Sequence, residues 1–229
     1  MIAPDMATML AFVFTDAALS ARLLRPLLLE ATDKSFNAIT VDGDTSTSDT
    51  CLLVATGAQR ADGPAIRRLD DPRLAQFRKA LTDVMQDVAI QVVCDGEGVS
   101  KLMTVDVSGA EDDAAARRIG LAIGNSPLVK TAVAGADANW GRIVMAVGKS
   151  GERVDRDRLS IEIGGHKVAH RGRVVPGYDE APVARHMQGQ RIHIAVDVGA
   201  ADGKAKGRTR IWASDLTHGY ISINADYRS

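Results

Sequence analysis

Side chains able to do chemistry gather at three places in this sequence. Asp42, Asp44 and Ser46 stand at the first three ligand spacings of a calcium loop. That pattern then needs Gly at its sixth position and a bidentate Glu at its twelfth. Thr47 and Leu53 stand there instead, so an ordered polar turn is the better reading. His166 and His170 are four apart, a spacing that on a helix brings two imidazoles to one metal. Lys167 occupies the place where a zinc protease carries its Glu, and Gly164-Gly165 argue against a helix. Two surface histidines, and no metal site, are expected. The third place is Asp95-Gly96-Glu97-Gly98. Glu97 is a carboxylate between two glycines, where backbone access is open and an amine or ammonium can be met. A plain helix C-cap explains the glycines equally well.

The elements that must position these residues follow from periodicity. Residues 16–35 read as two helical pieces, the first capped by Asp16 and the second starting near Pro26. Ile39 and Val41 suggest a strand, residues 42–50 a polar loop, and Cys51 to Ala55 a second strand. Leu74, Phe77, Leu81, Val84, Met85 and Val88 form one apolar stripe, and so predict a helix running towards the Asp95–Gly98 turn. Met103, Val105 and Val107 alternate as a strand, and residues 111–124 form an Ala-rich helix. Ile192, Ile194, Val196 and Val198 have period two. Gly203 to Arg208 reads as a basic turn, with Ile211-Trp212 opening the partner strand. Helices interleaved with strands predict a layered α/β fold.

Composition narrows the function. Of 229 residues, 28 are Lys or Arg and 29 are Asp or Glu, a formal charge of −1. A general polyanion binder usually carries a basic excess, so no nucleic-acid partner is expected. With 45% hydrophobic and 25% charged residues the chain can bury a core without staples. Cys51 and Cys94 do not make a disulfide framework and favour a reducing, cytoplasmic setting. The apolar run Met9 to Phe14 follows Asp5 and no basic residue, so it is not read as a signal peptide. No stretch approaches the ~18 apolar residues of a membrane helix.

Longer strings give a sharper pointer. The opening Met1-Ile2-Ala3-Pro4-Asp5-Met6-Ala7-Thr8-Met9-Leu10 resembles the self-cleavage junction of the ornithine acetyltransferase (glutamate N-acetyltransferase) family. Ser35-Phe36-Asn37 with Ile39 to Thr50, Asp95-Gly96-Glu97-Gly98 with Lys101, and Ser126-Pro127-Leu128-Val129-Lys130-Thr131-Ala132 are similar to further family motifs. So are Gly135-Ala136-Asp137-Ala138-Asn139-Trp140-Gly141-Arg142, and Asp215-Leu216-Thr217-His218 with Ile223-Asn224-Ala225-Asp226-Tyr227. They occur in family order along essentially the whole chain.

The resemblance implies the family's N-terminal-nucleophile-like α/β fold and its chemistry. The precursor cuts itself at Ala7-Thr8, leaving residues 1–7 as the end of an α chain and 8–229 as the β chain. Thr8 becomes the nucleophile. A Thr hydroxyl is weak near pH 7 and needs a base. The freed α-amino group on the same residue, with a reference pKa of about 7.7–8.0, can take the proton. The acetyl group moves from N2-acetylornithine to Thr8, then to L-glutamate, in the acetyl cycling of arginine biosynthesis. No resident cofactor is implied, and some members also accept acetyl-CoA as donor. Glu97, Asn224 and Ser229 match substrate-binding positions: Glu97 suits an amino group, and Asn224 and Ser229 suit a carboxylate. The implied assembly pairs two α with two β chains.

Departures from the family pattern are Ala138, Val99-Ser100 and Gly219. The family's oxyanion Thr-Gly pair and a substrate-binding Lys lie upstream of the junction and match no residue here. The 229-residue chain is therefore expected to be incompetent alone. Two rivals share parts of this pattern. One is an orphan β chain acting only as an assembly partner. The other is an N-terminal-nucleophile aminopeptidase, against which the Asp-Gly-Glu-Gly and Ile-Asn-Ala-Asp-Tyr strings weigh.

Overall fold

A computed structural model describes residues 9–44, 48–59, 63–200 and 207–226. The chain divides into two compact units, residues 1–39 with 44–91 and residues 40–43 with 92–229. The elements are of mixed α/β type, as expected from the alternation of periods.

The first unit holds β1 (Leu10–Ala17) and α1 (Ala21–Asp33). β2 (Ile39–Thr40) stands at the boundary, and β3 (Thr50–Gln59) and α2 (Leu74–Cys94) come next. β1 and β3 run parallel, with Phe12 opposite Leu52 and Phe14 opposite Val54. Period two sends Leu10, Phe12 and Phe14 to one face, where Leu52 and Val54 join them. All five are exposed, Leu10 at 67% and Phe14 at 69%. The α2 stripe is Leu74, Leu81, Met85 and Ala89, all buried, while Val84 and Val88 face outward.

Residues 16–35 do not form two helices. Asp16 belongs to β1, Ser20 stands at the N-cap of one helix, and Pro26 lies inside it. Leu23, Leu27 and Ala31, four apart and at most 3% exposed, keep α1 continuous. The stripe they bury outweighs the one backbone bond that proline withholds.

The second unit is built on a seven-stranded sheet with order β2-β9-β4-β8-β5-β6-β7. Its strands are β4 (Leu102–Ala110), β5 (Ser160–Ile163), β6 (His166–His170), β7 (Arg173–Val174), β8 (Arg191–Asp197) and β9 (Gly207–Ser214). β4 and β8 are parallel, and β9 is antiparallel to β4. The sheet partner of β8 is thus not β9, as the basic turn suggested. β8 is flanked by β4 and β5, which leaves it no open edge. His166 and His170 lie on a strand, where a four-residue spacing separates them by about 13 Å.

Met103, Val105 and Val107 pair with Ile192, Ile194 and Val196 across the two strands to make the buried face. Helix α3 (Asp113–Gly124) lies on β4 and β9. Gly120 makes the close approach possible: a Cβ there would meet Ile211 Cγ1 at 2.7 Å. α4 (Pro127–Ala134), α5 (Trp140–Lys149), α6 (Ala181–Met187) and α7 (His218–Asp226) complete the unit. Among the described residues no helix is long and apolar enough to cross a membrane.

The opposite sheet face is polar. Arg210 on β9 grips Asp106 on β4 through two bonds of 2.6 and 2.7 Å, and His193 on β8 meets the same carboxylate at 2.8 Å. Partial burial raises the Asp106 carboxyl, but Arg210 and His193 outweigh it and hold it below its usual 3.8. A depressed carboxylate adds stability that is fully present above the unfolded value and is lost as pH falls through the folded one. Asp106→Asn should therefore cost about 1 kcal/mol at pH 7, discounted for the exposure of the ion pair. The difference from the parent should shrink as the pH falls below the ordinary carboxylate range and the Asp106 carboxyl takes up its proton. Denaturant melts at neutral and at acid pH measure it, and an equal cost at both would show that the charge plays no part.

Candidate active site

The site is built where the loop after α2 meets the segment after β9. That loop, residues 95–101, carries Glu97 and Lys101. The segment from Ser214 to Thr217 leads into α7, which carries Tyr220 and Asn224. Three sets of bonds join them.

The first is a carboxylate. Asp215, 3% exposed, accepts from the Ser100 N–H at 2.9 Å and from the Ser100 hydroxyl. Its own N–H donates to the Lys101 carbonyl at 3.1 Å. The second is a cation beneath the end of β9. Ser126 caps α4 and Pro127 occupies its first turn, which places Lys130 one turn in. Lys130 is 2% exposed, and its Nζ donates to the Ser214 carbonyl at 2.5 Å and to Ser214 Oγ at 3.0 Å. Ser214 Oγ in turn donates to the Val41 carbonyl at 2.9 Å. Burial pushes the Lys130 amine down to about 8, against the pull of Asp215 and Asp42. The third is backbone contact. Thr217 Oγ1 donates to the Gly98 carbonyl at 2.6 Å, and a Cβ on Gly98 would lie 2.2 Å from the Tyr220 nitrogen. Gly219 also passes close to Gly98: a Cβ on Gly219 would stand 3.3 Å from the Gly98 Cα.

These ties bring together Glu97 and Asn224. Asn224 Nδ2 donates to Glu97 Oε2 at 2.7 Å and to the Tyr220 carbonyl at 3.0 Å. Both partners are acceptors, so only the NH2 of the amide can face them. Asn224 then has its side-chain carbonyl, not its donors, to turn to a ligand. A carboxylate and a carbonyl side by side match an ammonium or amine better than a carboxylate. Tyr220 OH donates to Asp42 Oδ2 at 3.4 Å.

Of the residues expected to act, Glu97 and Asn224 are therefore in contact. Ala7, Thr8 and Ser229 lie outside the described residues. The residue after Thr8, Met9, is largely buried, and its carbonyl accepts from Thr50 N–H at 2.7 Å at the head of β1. Sequence reasoning gives no role to Lys130, Ser214 or Asp215. The available signal is a lone cation inside the mainly apolar run Pro127-Leu128-Val129-Lys130-Thr131-Ala132. The cap at Asn139, which accepts from Arg142 N–H at 3.4 Å, explains part of the Asn-Trp-Gly-Arg string as a helix start.

The backbone contact is testable by itself. Gly98 and Gly151 both have positive φ, +67° and +77°, but a Cβ on Gly151 would meet nothing within 4 Å. Gly151→Ala should cost only the left-handed strain, about 1–2 kcal/mol. Gly98→Ala should cost clearly more, because the clash is with backbone. Denaturant unfolding of both variants checks this, and equal costs would mean that α7 yields freely.

Comparison with known proteins gives a context for this site. The ArgJ family model matches residues 1–229. An arginine biosynthesis bifunctional protein ArgJ of Gluconobacter oxydans is 58% identical over 229 residues, covering all of this chain and 53% of that protein. One of the same name from Zymomonas mobilis is 56% identical, with 54% of it covered. The chain thus spans about half the length of the curated relatives it matches. The crystal structure of an arginine biosynthesis bifunctional protein argJ from Bacillus halodurans superposes with a TM-score of 0.88 at 38% identity. That match covers 96% of this chain and 100% of the solved chain. With a match from the first residue to the last, and a shared fold at well over 25% identity, the chain belongs to the ArgJ family.

Proposed function

We propose that this chain is the nucleophile-bearing half of a glutamate N-acetyltransferase, which moves an acetyl group from N2-acetylornithine to L-glutamate. The observation that carries the reading is the Glu97–Asn224 contact. Two residues 127 apart in sequence, both matched to substrate positions, meet at 2.7 Å and present acceptors suited to the amino group of an amino acid. The names of the relatives, which place them in arginine biosynthesis, support it.

In this reading the Ala7-Thr8 bond is cut and Thr8 begins a new chain. Its hydroxyl attacks the acetyl carbonyl of acetylornithine while its own α-amine takes the hydroxyl proton. The C–N bond breaks, the proton passes to the leaving nitrogen, and ornithine departs. The amine of glutamate then attacks the threonyl ester. The C–O bond breaks, and Thr8 recovers a proton as N-acetylglutamate leaves. No resident cofactor is needed, and acetyl-CoA is a second acetyl donor under this proposal. Ser229 completes the set of substrate contacts.

The partner proposed is the α portion of the same precursor, in an assembly of two α and two β chains. That portion supplies the oxyanion donors. Two observations support it. This chain covers a solved ArgJ chain from end to end but only half of its full-length relatives. The face of β1 and β3 also leaves Leu10, Phe12, Phe14, Leu52 and Val54 exposed together, which an unpartnered soluble surface rarely does. The setting proposed is the cytoplasm, with which the unbridged Cys51 and Cys94 agree.

Two outcomes test the proposal. In protein made with the upstream portion, Thr8→Ala should leave the precursor uncut and lower acetyl transfer by about 10³-fold or more. Normal turnover would refute the nucleophile. The 229-residue chain made alone should keep Met1 to Ala7 by intact mass and show no transfer. Activity matching the two-part protein would refute the need for a partner.

A further inference from the structure

The acetyl-transfer reading leaves two buried charges unused. Among the described residues the buried polar or charged side chains include Lys130, Ser214 and Asp215, and these three meet at one place, the end of β9. Burying a cation and a carboxylate is costly, and an apolar pair of the same volume generally fills a core as well. Their location therefore calls for a reason other than core stability.

The reason lies in the helix that β9 leads into. Helix α7 contributes no buried side chain. No hydrophobic stripe seats it, so its position rests on the polar ties at its root, on the bonds of Tyr220 and Asn224 to Asp42 and Glu97, and on the Gly98 contact. Asp215 fixes the root to Ser100 and Lys101, three and four residues from Glu97. Lys130 fixes the strand end through Ser214, and its carbonyl accepts from the Leu216 N–H at 3.3 Å. Lys101 is itself anchored, its Nζ donating to the Val133 carbonyl at 3.0 Å and the Met187 carbonyl at 2.7 Å. The loop and the helix root are thus held to one frame, and Glu97 and Asn224 ride on the two parts.

We propose that Asp215 and Lys130 are positioning residues for the amino-acid pocket, holding the Glu97 loop and α7 at the separation where Glu97 and Asn224 act together on one amino group. The proposal rests on the reading of Glu97 and Asn224 as substrate contacts. Neither positioning residue touches substrate. Removing them should loosen the pocket and leave the sheet, whose apolar face they do not form, intact. The Ser100 hydroxyl adds the second bond to Asp215, while the first comes from a backbone N–H that any residue supplies.

The test uses the two-part protein and steady-state kinetics with acetylornithine and glutamate. Asp215→Ala and Lys130→Met should raise KM by about 10- to 100-fold, the size of a lost charge-assisted hydrogen bond, with kcat changed by less than about threefold. Ser100→Ala, which keeps the carboxylate and one bond to it, should raise KM by only about two- to fivefold. This mild variant also keeps the test open if a stronger one fails to fold. The decisive readout is coupling. In an Asn224→Ala background, Asp215→Ala or Ser100→Ala should add almost nothing to KM, because the residue being positioned is gone. Hydrogen exchange should quicken in residues 217–226 while β4 and β9 stay protected. Effects on KM that multiply independently of Asn224→Ala, or an unchanged KM in Asp215→Ala and Ser100→Ala, would overturn the proposal. Glu97→Gln and Asn224→Ala separate the two levels: if they leave KM unchanged, it is the substrate reading that fails.

Discussion

One buried carboxylate joins parts of the second unit that the chain keeps far apart. Asp215 sits at the exit of β9 and accepts two bonds from Ser100, which is separated from α2 by a short loop. Water would solvate this carboxylate far better than a protein interior unless such bonds replaced its hydration. The fold supplies them, together with a Lys130 cation under the same strand end. Mutual satisfaction gives little net stability but a narrow choice of geometry. The Glu97–Asn224 contact, made by side chains on different elements, needs that narrowness, because its partners must agree within a fraction of an ångström.

The rest of the second unit can be understood as support for this join. The alternating apolar rows of β4 and β8 set the sheet, α3 closes on it through Gly120, and β9 is carried along the far side of β4. β9 ends at Ser214, so the sheet itself determines where α7 starts. Past that point apolar packing stops. A helix without buried side chains stands by polar ties alone and is less stable than the core that carries it.

Much of this was legible wherever a local period carried the information. The α2 helix, though not which of its apolar residues face inward, the alternation of β4 and β8 and the α3 helix can all be read from ten or so neighbouring residues. Glu97 was legible too, as a carboxylate flanked by glycines. The positive φ of Gly98 and its contact with Tyr220 were not, because they depend on a residue 122 positions away, from 98 to 220. The same holds for Asp215 and Ser100. β1 was missed for a different reason. An alternation of Leu10, Phe12 and Phe14 with Ala11 and Val13 is apolar on both faces, and hides the period. Pro26 misled because a breaker was weighed more heavily than a stripe of three residues. The family strings carried the functional reading, since they sample long-range partners that no period records.

In the proposed function Thr8 carries the acetyl group between the two amino acids. Mixing the cut, two-part protein with N2-acetylornithine alone, quenching in acid and mapping peptides by mass spectrometry tests it most directly. One added acetyl group is expected on the peptide that begins at Thr8, lost on brief treatment with glutamate. An active enzyme with no acetyl on that peptide, or with the acetyl on another residue, would contradict it.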